Sequence, residues 1–124
     1  MKKLLVILSL LWVTTSFGQS LPKSLSPETF NRAINTGVVI VEFDAKFAKP
    51  FADWDEIEDC KYYRVDIEKY PELKDKWKIR TVPTIILFHN GNKHKTWKAN
   101  IMLELDVTAK EIQEEIEELL SSQF

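Results

Sequence analysis

The chain has 124 residues, 17 lysines and arginines against 19 acids, a net charge of −2, and one cysteine. That length fits one domain. The mild negative charge supplies no basic face for a nucleic acid, and a lone cysteine cannot close an internal disulfide.

In chain order, the first element is "MKKLLVILSLLWVTTSFGQS": two lysines, an apolar stretch from Leu4 to Val13, then small and polar residues. This is the layout of a secretory signal peptide. The apolar part runs for about ten residues, against roughly 20 for a membrane-spanning helix. Cleavage after Ser16-Phe17-Gly18 is expected, with residues 1–18 as the signal peptide. The expected location is then periplasmic or secreted, with no stable membrane anchor after cleavage. An uncleaved anchor is the alternative. No cysteine lies near the cut to carry a lipid. Loss of Lys2 and Lys3 with 18 of the 124 residues leaves 106 residues, with 15 cations against 19 acids and a net charge of −4. No nucleic-acid partner is expected.

Residues 19–26 read as a polar lead-in, and 27–124 as the domain. "SPETFNRAINTG" predicts a helix: Ser26 caps it, Pro27 suits the first turn, Glu28 faces the positive dipole end and Gly37 can end it. "VVIVEF" (38–43) is β-branched and apolar on both faces, as in a strand of a covered parallel sheet. "FADWDEIED" predicts about two helical turns. "YYRVDIE" (62–68) predicts a second strand, and "YPELKDKWKI" a helix with Leu73 and Trp77 on one face. "TIILFHNGNKHKTWKANIML" predicts a hairpin about Asn90-Gly91. "TAKEIQEEIEELL" predicts an amphipathic helix, with Thr108 and Glu111 as a capping box and Ile112, Ile116, Leu119 and Leu120 inward. The fold class is α/β, with a mixed four-stranded sheet covered by helices on both faces.

Between the first strand and the short helix lies "DAKFAKPFADW" (44–54), which holds no Cys, His, Ser or Thr. Here the chain resembles the thioredoxin family. Phe47 stands where that family has the aromatic before its first cysteine. Ala48, Lys49, Pro50 and Phe51 stand where it has C-G-P-C. "RVDIEKYPELKDKWKIR" resembles the family's second strand and following helix, and "TVPTIILFHNG" its V-P-T segment and hairpin. The resemblance spans about residues 27–121. It implies a thioredoxin-like fold, a cis bond at Val82-Pro83, and an acid on the first strand, Glu42, beneath the turn. With only fifteen residues between Pro50 and Asp66, the helix after the turn is expected to be truncated.

Dithiol exchange needs an attacking thiolate and a resolving thiol. Ala48 and Phe51 offer neither, so a degenerate motif without dithiol activity is expected, with no catalytic residue at the turn. In the family, the backbone before the proline pairs with an extended client. That contact uses main-chain groups and does not need the cysteines. The resemblance therefore points to non-covalent binding of an extended peptide or an exported partner protein, at Phe47, Phe51, Val82 and Pro83. Pro83 serving only to shape the fold is the competing view of that residue. Chemistry by Cys60, as a monothiol or a covalent dimer, is the alternative function, and it requires an exposed thiol with a depressed pKa. An accessory role in an assembly is a third, and it requires an apolar patch elsewhere on the surface. Glu42 without a cysteine pair loses a proton-relay role and, if buried unpartnered, would have a raised pKa. His89 and His94 flank the hairpin turn and read as solvated residues, so no metal and no cofactor are expected.

Overall fold

The computed structural model describes residues 21–122; the signal peptide expected at 1–18 lies outside the described residues. The elements in order are β1 (Lys23–Ser24), α1 (Pro27–Ile34), β2 (Val38–Asp44), a 3-10 segment (Ala52–Glu56), β3 (Lys61–Asp66), α2 (Pro71–Lys76), β4 (Thr84–His89), β5 (Asn92–Lys98) and α3 (Ala109–Ser121). The sheet order is β1-β3-β2-β4-β5. β2 is parallel to β3, with Glu42 beside Arg64. It is antiparallel to β4, with Glu42 beside Ile85.

The sheet has five strands rather than four. Lys23 and Ser24, in the supposed polar lead-in, pair in parallel with Tyr63 and Arg64. Leu25 explains this: it is buried, and its N–H reaches the Arg64 carbonyl at 2.8 Å. One apolar residue amid polar neighbours anchors the lead-in to the sheet edge.

Alternation along β2 and β4 divides the core into two layers. Val39, Val41, Phe43, Ile86 and Phe88 face α1 and α2. Ile40, Ile85 and Leu87 face α3 and the 3-10 segment. In the first layer Phe30, Trp77 and Phe88 form an aromatic knot, with ring centroids 5.1 to 6.0 Å apart. In the second, Ile112, Ile116 and Leu119 are buried, whereas Leu120 is only half-buried at the margin. Thr108 caps α3 by accepting the Glu111 N–H at 3.2 Å. The hairpin turn at Asn90-Gly91 has φ of 50° and 87°, the left-handed pair that a two-residue hairpin requires. Asn90 also accepts the Gly37 N–H at 2.8 Å, which ties the turn to the end of α1.

Two segments differ from expectation. The predicted two-turn helix after Phe51 is a five-residue 3-10 segment with a non-helical Asp53. Ile57 must be buried and β3 starts at Lys61, so the chain has no length for a longer helix. The second hairpin strand stops at Lys98. Asn100 then accepts the N–H groups of Met102 and Glu104 on its side chain, which turns the chain away from the sheet.

Phe30 fills the centre of the aromatic knot and is 1% exposed. Phe30→Ala should lower the unfolding free energy by about 3–5 kcal/mol in urea titration. A loss under about 1 kcal/mol would show that the layer repacks around the cavity.

Candidate functional site

The residues between β2 and the 3-10 segment form a turn at the C-terminal end of the central strand. Ala48 and Phe51 are buried, whereas Phe47 is 66% exposed. The turn is fixed from below by a polar cluster in an otherwise apolar layer. Glu42 is fully buried. Its Oε2 accepts the Phe51 N–H at 2.8 Å, and its Oε1 accepts the Tyr62 hydroxyl at 2.6 Å and the Arg64 Nε at 3.1 Å. Arg64 also donates to the Phe51 carbonyl at 3.2 Å. Both main-chain groups of Phe51 are thus held by one ion pair.

The unpartnered buried Glu42 considered from sequence is not what the structure holds. Its charge is matched by Arg64, and three donors occupy its oxygens. Sequence reading passed over Tyr62 and Arg64. The available signal was their spacing, two residues apart on the strand beside the one bearing Glu42, which places both side chains on its face. Tyr62 stays a phenol, because burial and then the Glu42 carboxylate push its pKa far up.

A cleft of about 580 Å³ lies against the turn. Phe47 to Asp53 form one wall, Pro83 lies in the floor, and residues 102–107 form the opposite wall. The Val82-Pro83 bond is cis. Phe47, Phe51 and Pro83 come together here. The Val82 side chain does not join them: it is 3% exposed and packs in the α1–α2 layer. Its main chain is buried with it, although among the described residues neither its N–H nor its C=O has a hydrogen-bond partner. The hairpin expected from sequence runs through Leu103, and no residue from Met102 to Val107 is among the expected site residues.

A smaller cleft of about 290 Å³ lies on the other side of Ala48 and Pro50, lined by Asp44, Arg64 and Asp66. Asp44 is half-buried, and its carboxyl is pushed up to about 6, first by burial and then by the nearby Glu42 and Asp66 charges, against the lowering effect of the Ala45 N–H and of Arg64. Cys60 lies away from the turn. It is half-buried against the α3 layer, and burial, with Asp59 beside it, pushes its thiol up to about 11. His94 pairs with Glu115 at 3.2 Å, and the Asn90 amide lies 3.3 Å from the His89 ring. Among the described residues, no group of three or more His, Cys, Asp or Glu is placed to hold a metal, and no helix is long and apolar enough to cross a membrane.

Arg64→Met leaves the Glu42 carboxylate buried without its cation, and a loss of about 3–5 kcal/mol is expected in urea titration. The pair Glu42→Leu with Arg64→Met should recover most of that loss, because an apolar replacement of both charges is close to neutral. Equal losses in the single and double variants would overturn this account of the cluster.

Asp44 gives a pH prediction. Its folded pKa of about 6 exceeds the unfolded value of 3.8. The unfolded chain therefore releases this proton first as pH rises. The contribution to stability is complete below about pH 4 and is lost by the time pH passes about 6. Asp44→Asn keeps the oxygen that accepts the Ala45 N–H and removes the titration. Its stability relative to wild type should rise from about pH 4 to about pH 7. Parallel profiles would sink the assignment. The exposed half of the side chain is screened by solvent, so the gain should be small.

Two solved structures share the fold. A thioredoxin from Malassezia sympodialis, described as a member of a pan-allergen family, is 19% identical with a TM-score of 0.58, covering 81% of this chain and 91% of its own. A mutant thioredoxin from Halobacterium salinarum is 19% identical with a TM-score of 0.64, covering 82% of this chain and 95% of its own. No match is found among curated proteins. The thioredoxin family profile matches residues 22–117, more than half of the chain, and with the sheet order, the turn and the cis-proline it establishes that this one-cysteine chain belongs to the thioredoxin family.

Proposed function

We propose that the protein is an exported thioredoxin-family member without dithiol redox activity, which binds an extended peptide or partner protein non-covalently beside Pro83. The observation that carries this reading is the open cleft between the 47–53 turn and residues 102–107. Large apolar side chains stand exposed beside it: Phe47 and Met102 in its walls, and Ile101 next to Met102 in the chain. Leaving such groups in water is unfavourable, and a partner's apolar side chain would remove them from it.

Loss of exchange chemistry is supported by the chemical identity of the turn, where Ala48 and Phe51 carry no sulfur. Cys60 is a poor substitute. Its raised pKa and half-burial oppose the thiolate that attack requires. An accessory role through a separate patch finds little support either: of the four exposed large hydrophobics among the described residues, Phe47 and Met102 line the cleft, Ile101 adjoins Met102 in the chain, and Leu21 is the fourth. Export rests on the basic-then-apolar start of the chain.

Insulin reduction by dithiothreitol should run at the buffer rate with the protein present, and Cys60→Ser should change nothing. An acceleration that Cys60→Ser abolishes would replace this reading with one-cysteine redox chemistry. In a screen of immobilised unfolded peptides, the protein should retain a subset, and Phe47→Ala should weaken that binding about tenfold. Undiminished binding by Phe47→Ala would place the site elsewhere.

A further inference from the structure

The wall opposite the turn has a property of its own. From Leu103 to Val107, half-buried apolar residues alternate with exposed acids: Leu103, Leu105 and Val107 against Glu104 and Asp106. All three apolar residues line the cleft. Leu103 has a left-handed φ of 60°, so it is from Glu104 to Val107 that the period of two marks extended chain with one face covered. Residues 104–107 nevertheless belong to no strand, and among the described residues the main-chain N–H and C=O groups of Leu105, Asp106 and Val107 have no hydrogen-bond partner. An unpaired extended segment is a template for another strand.

The charged residues that line the cleft are two acids, Asp53 and Glu104, and one cation, Lys49, and further exposed acids adjoin them in the chain. Glu104 and Asp106 stand on this wall, and Asp53, Asp55 and Glu56 on the 3-10 segment, all exposed. The ion pairs among the described residues are Arg64 with Glu42 and His94 with Glu115, so none of the five acids is paired with a cation. Glu56 binds its proton more tightly than usual, first because the Asp53 charge lies beside it. Lys49 is the single cation in the cleft lining.

Building on the peptide-binding reading above, we propose that the cleft takes an extended segment that pairs with the main chain of Leu105–Val107 and carries a large apolar side chain flanked by lysine or arginine. The apolar side chain fills the space between Phe47 and Leu105. The flanking cations lie over the acids at the rim. Asp53 and Glu104 in the lining, with exposed Asp55 and Asp106 beside them in the chain, outnumber Lys49 and would repel an acidic segment of the same shape, and so decide between partners.

The test uses the protein as an expressing bacterial host processes it, and two labelled peptides of equal length with the same central leucine, one lysine-flanked and one glutamate-flanked. Fluorescence anisotropy should show the lysine peptide bound at least about tenfold more tightly, with the ratio shrinking as salt is raised. Charge reversal at the rim, Glu104→Lys with Asp106→Lys, should erase the ratio while circular dichroism stays unchanged. N-methylation of alternate amides in the lysine peptide should weaken it, because each methyl removes one main-chain donor. If both peptides bind equally and the reversal has no effect, the charge preference is wrong and the peptide-binding reading stands. If N-methylation has no effect, pairing with residues 105–107 is wrong. If neither peptide binds and sedimentation shows a concentration-dependent dimer that Ile101→Asp dissolves, the cleft belongs to a second copy and both readings fall.

Discussion

One carboxylate sets the terms for this molecule. Glu42 lies on the central strand, fully buried, between two apolar layers. An ionised carboxylate there is tolerable only with a cation and a full set of donors. The parallel register of β2 and β3 supplies them, since it sets Arg64 directly beside Glu42 and Tyr62 two pairs earlier on the same face. The third donor is the Phe51 N–H, and Arg64 closes the ring on the Phe51 carbonyl. The turn is therefore anchored to the sheet through charge-assisted hydrogen bonds to its main chain. The side chain at position 51 is free to be phenylalanine because its backbone carries the attachment.

That anchorage explains how an active-site turn keeps its place without its sulfur atoms. The 3-10 segment that follows has five residues, an irregular Asp53 and no buried residue. Such a segment has little of its own to hold it. Two outside contacts help: Phe51 and Ile57 sink into the α3 layer at either end, and the Gln113 side chain of α3 accepts the Glu58 N–H at 2.6 Å. With the turn fixed and the far wall shaped by Asn100, the cleft between them is largely preformed. A preformed site loses less conformational entropy on binding than one that must order first.

The fold was legible in the sequence because its signals are local. The continuous apolar run of β2, the capped amphipathic α3 and Asn90-Gly91 each specify an element without help from distant residues. The site was less legible because its key contacts join residues 9 to 22 positions apart, as Glu42 does with Phe51, Tyr62 and Arg64. A register has to be assumed before Arg64 can be placed beside Glu42. The two-residue β1 was missed for a similar reason: Leu25 is a single apolar residue, and its partner strand lies about forty residues further on. The 99–107 segment misled in the opposite direction. "KANIML" continues a strand-like pattern, and only the side chain of Asn100, capturing two N–H groups, ends it.

Fold and chemistry come apart here at the level of single atoms. The features that place this chain in the thioredoxin family are the sheet order, the cis-proline and the turn, and each is a matter of backbone path. Exchange chemistry depends on two sulfur atoms that the backbone path does not require. The contacts by which Glu42 and Arg64 hold Phe51 go to its main chain and involve no sulfur. What remains is an anchored turn, the exposed Phe47 and the unpaired main chain of Leu105–Val107 along one wall of a cleft. Contacts with such groups need no bond to be made or broken, which is why the proposed binding does not depend on the missing sulfur.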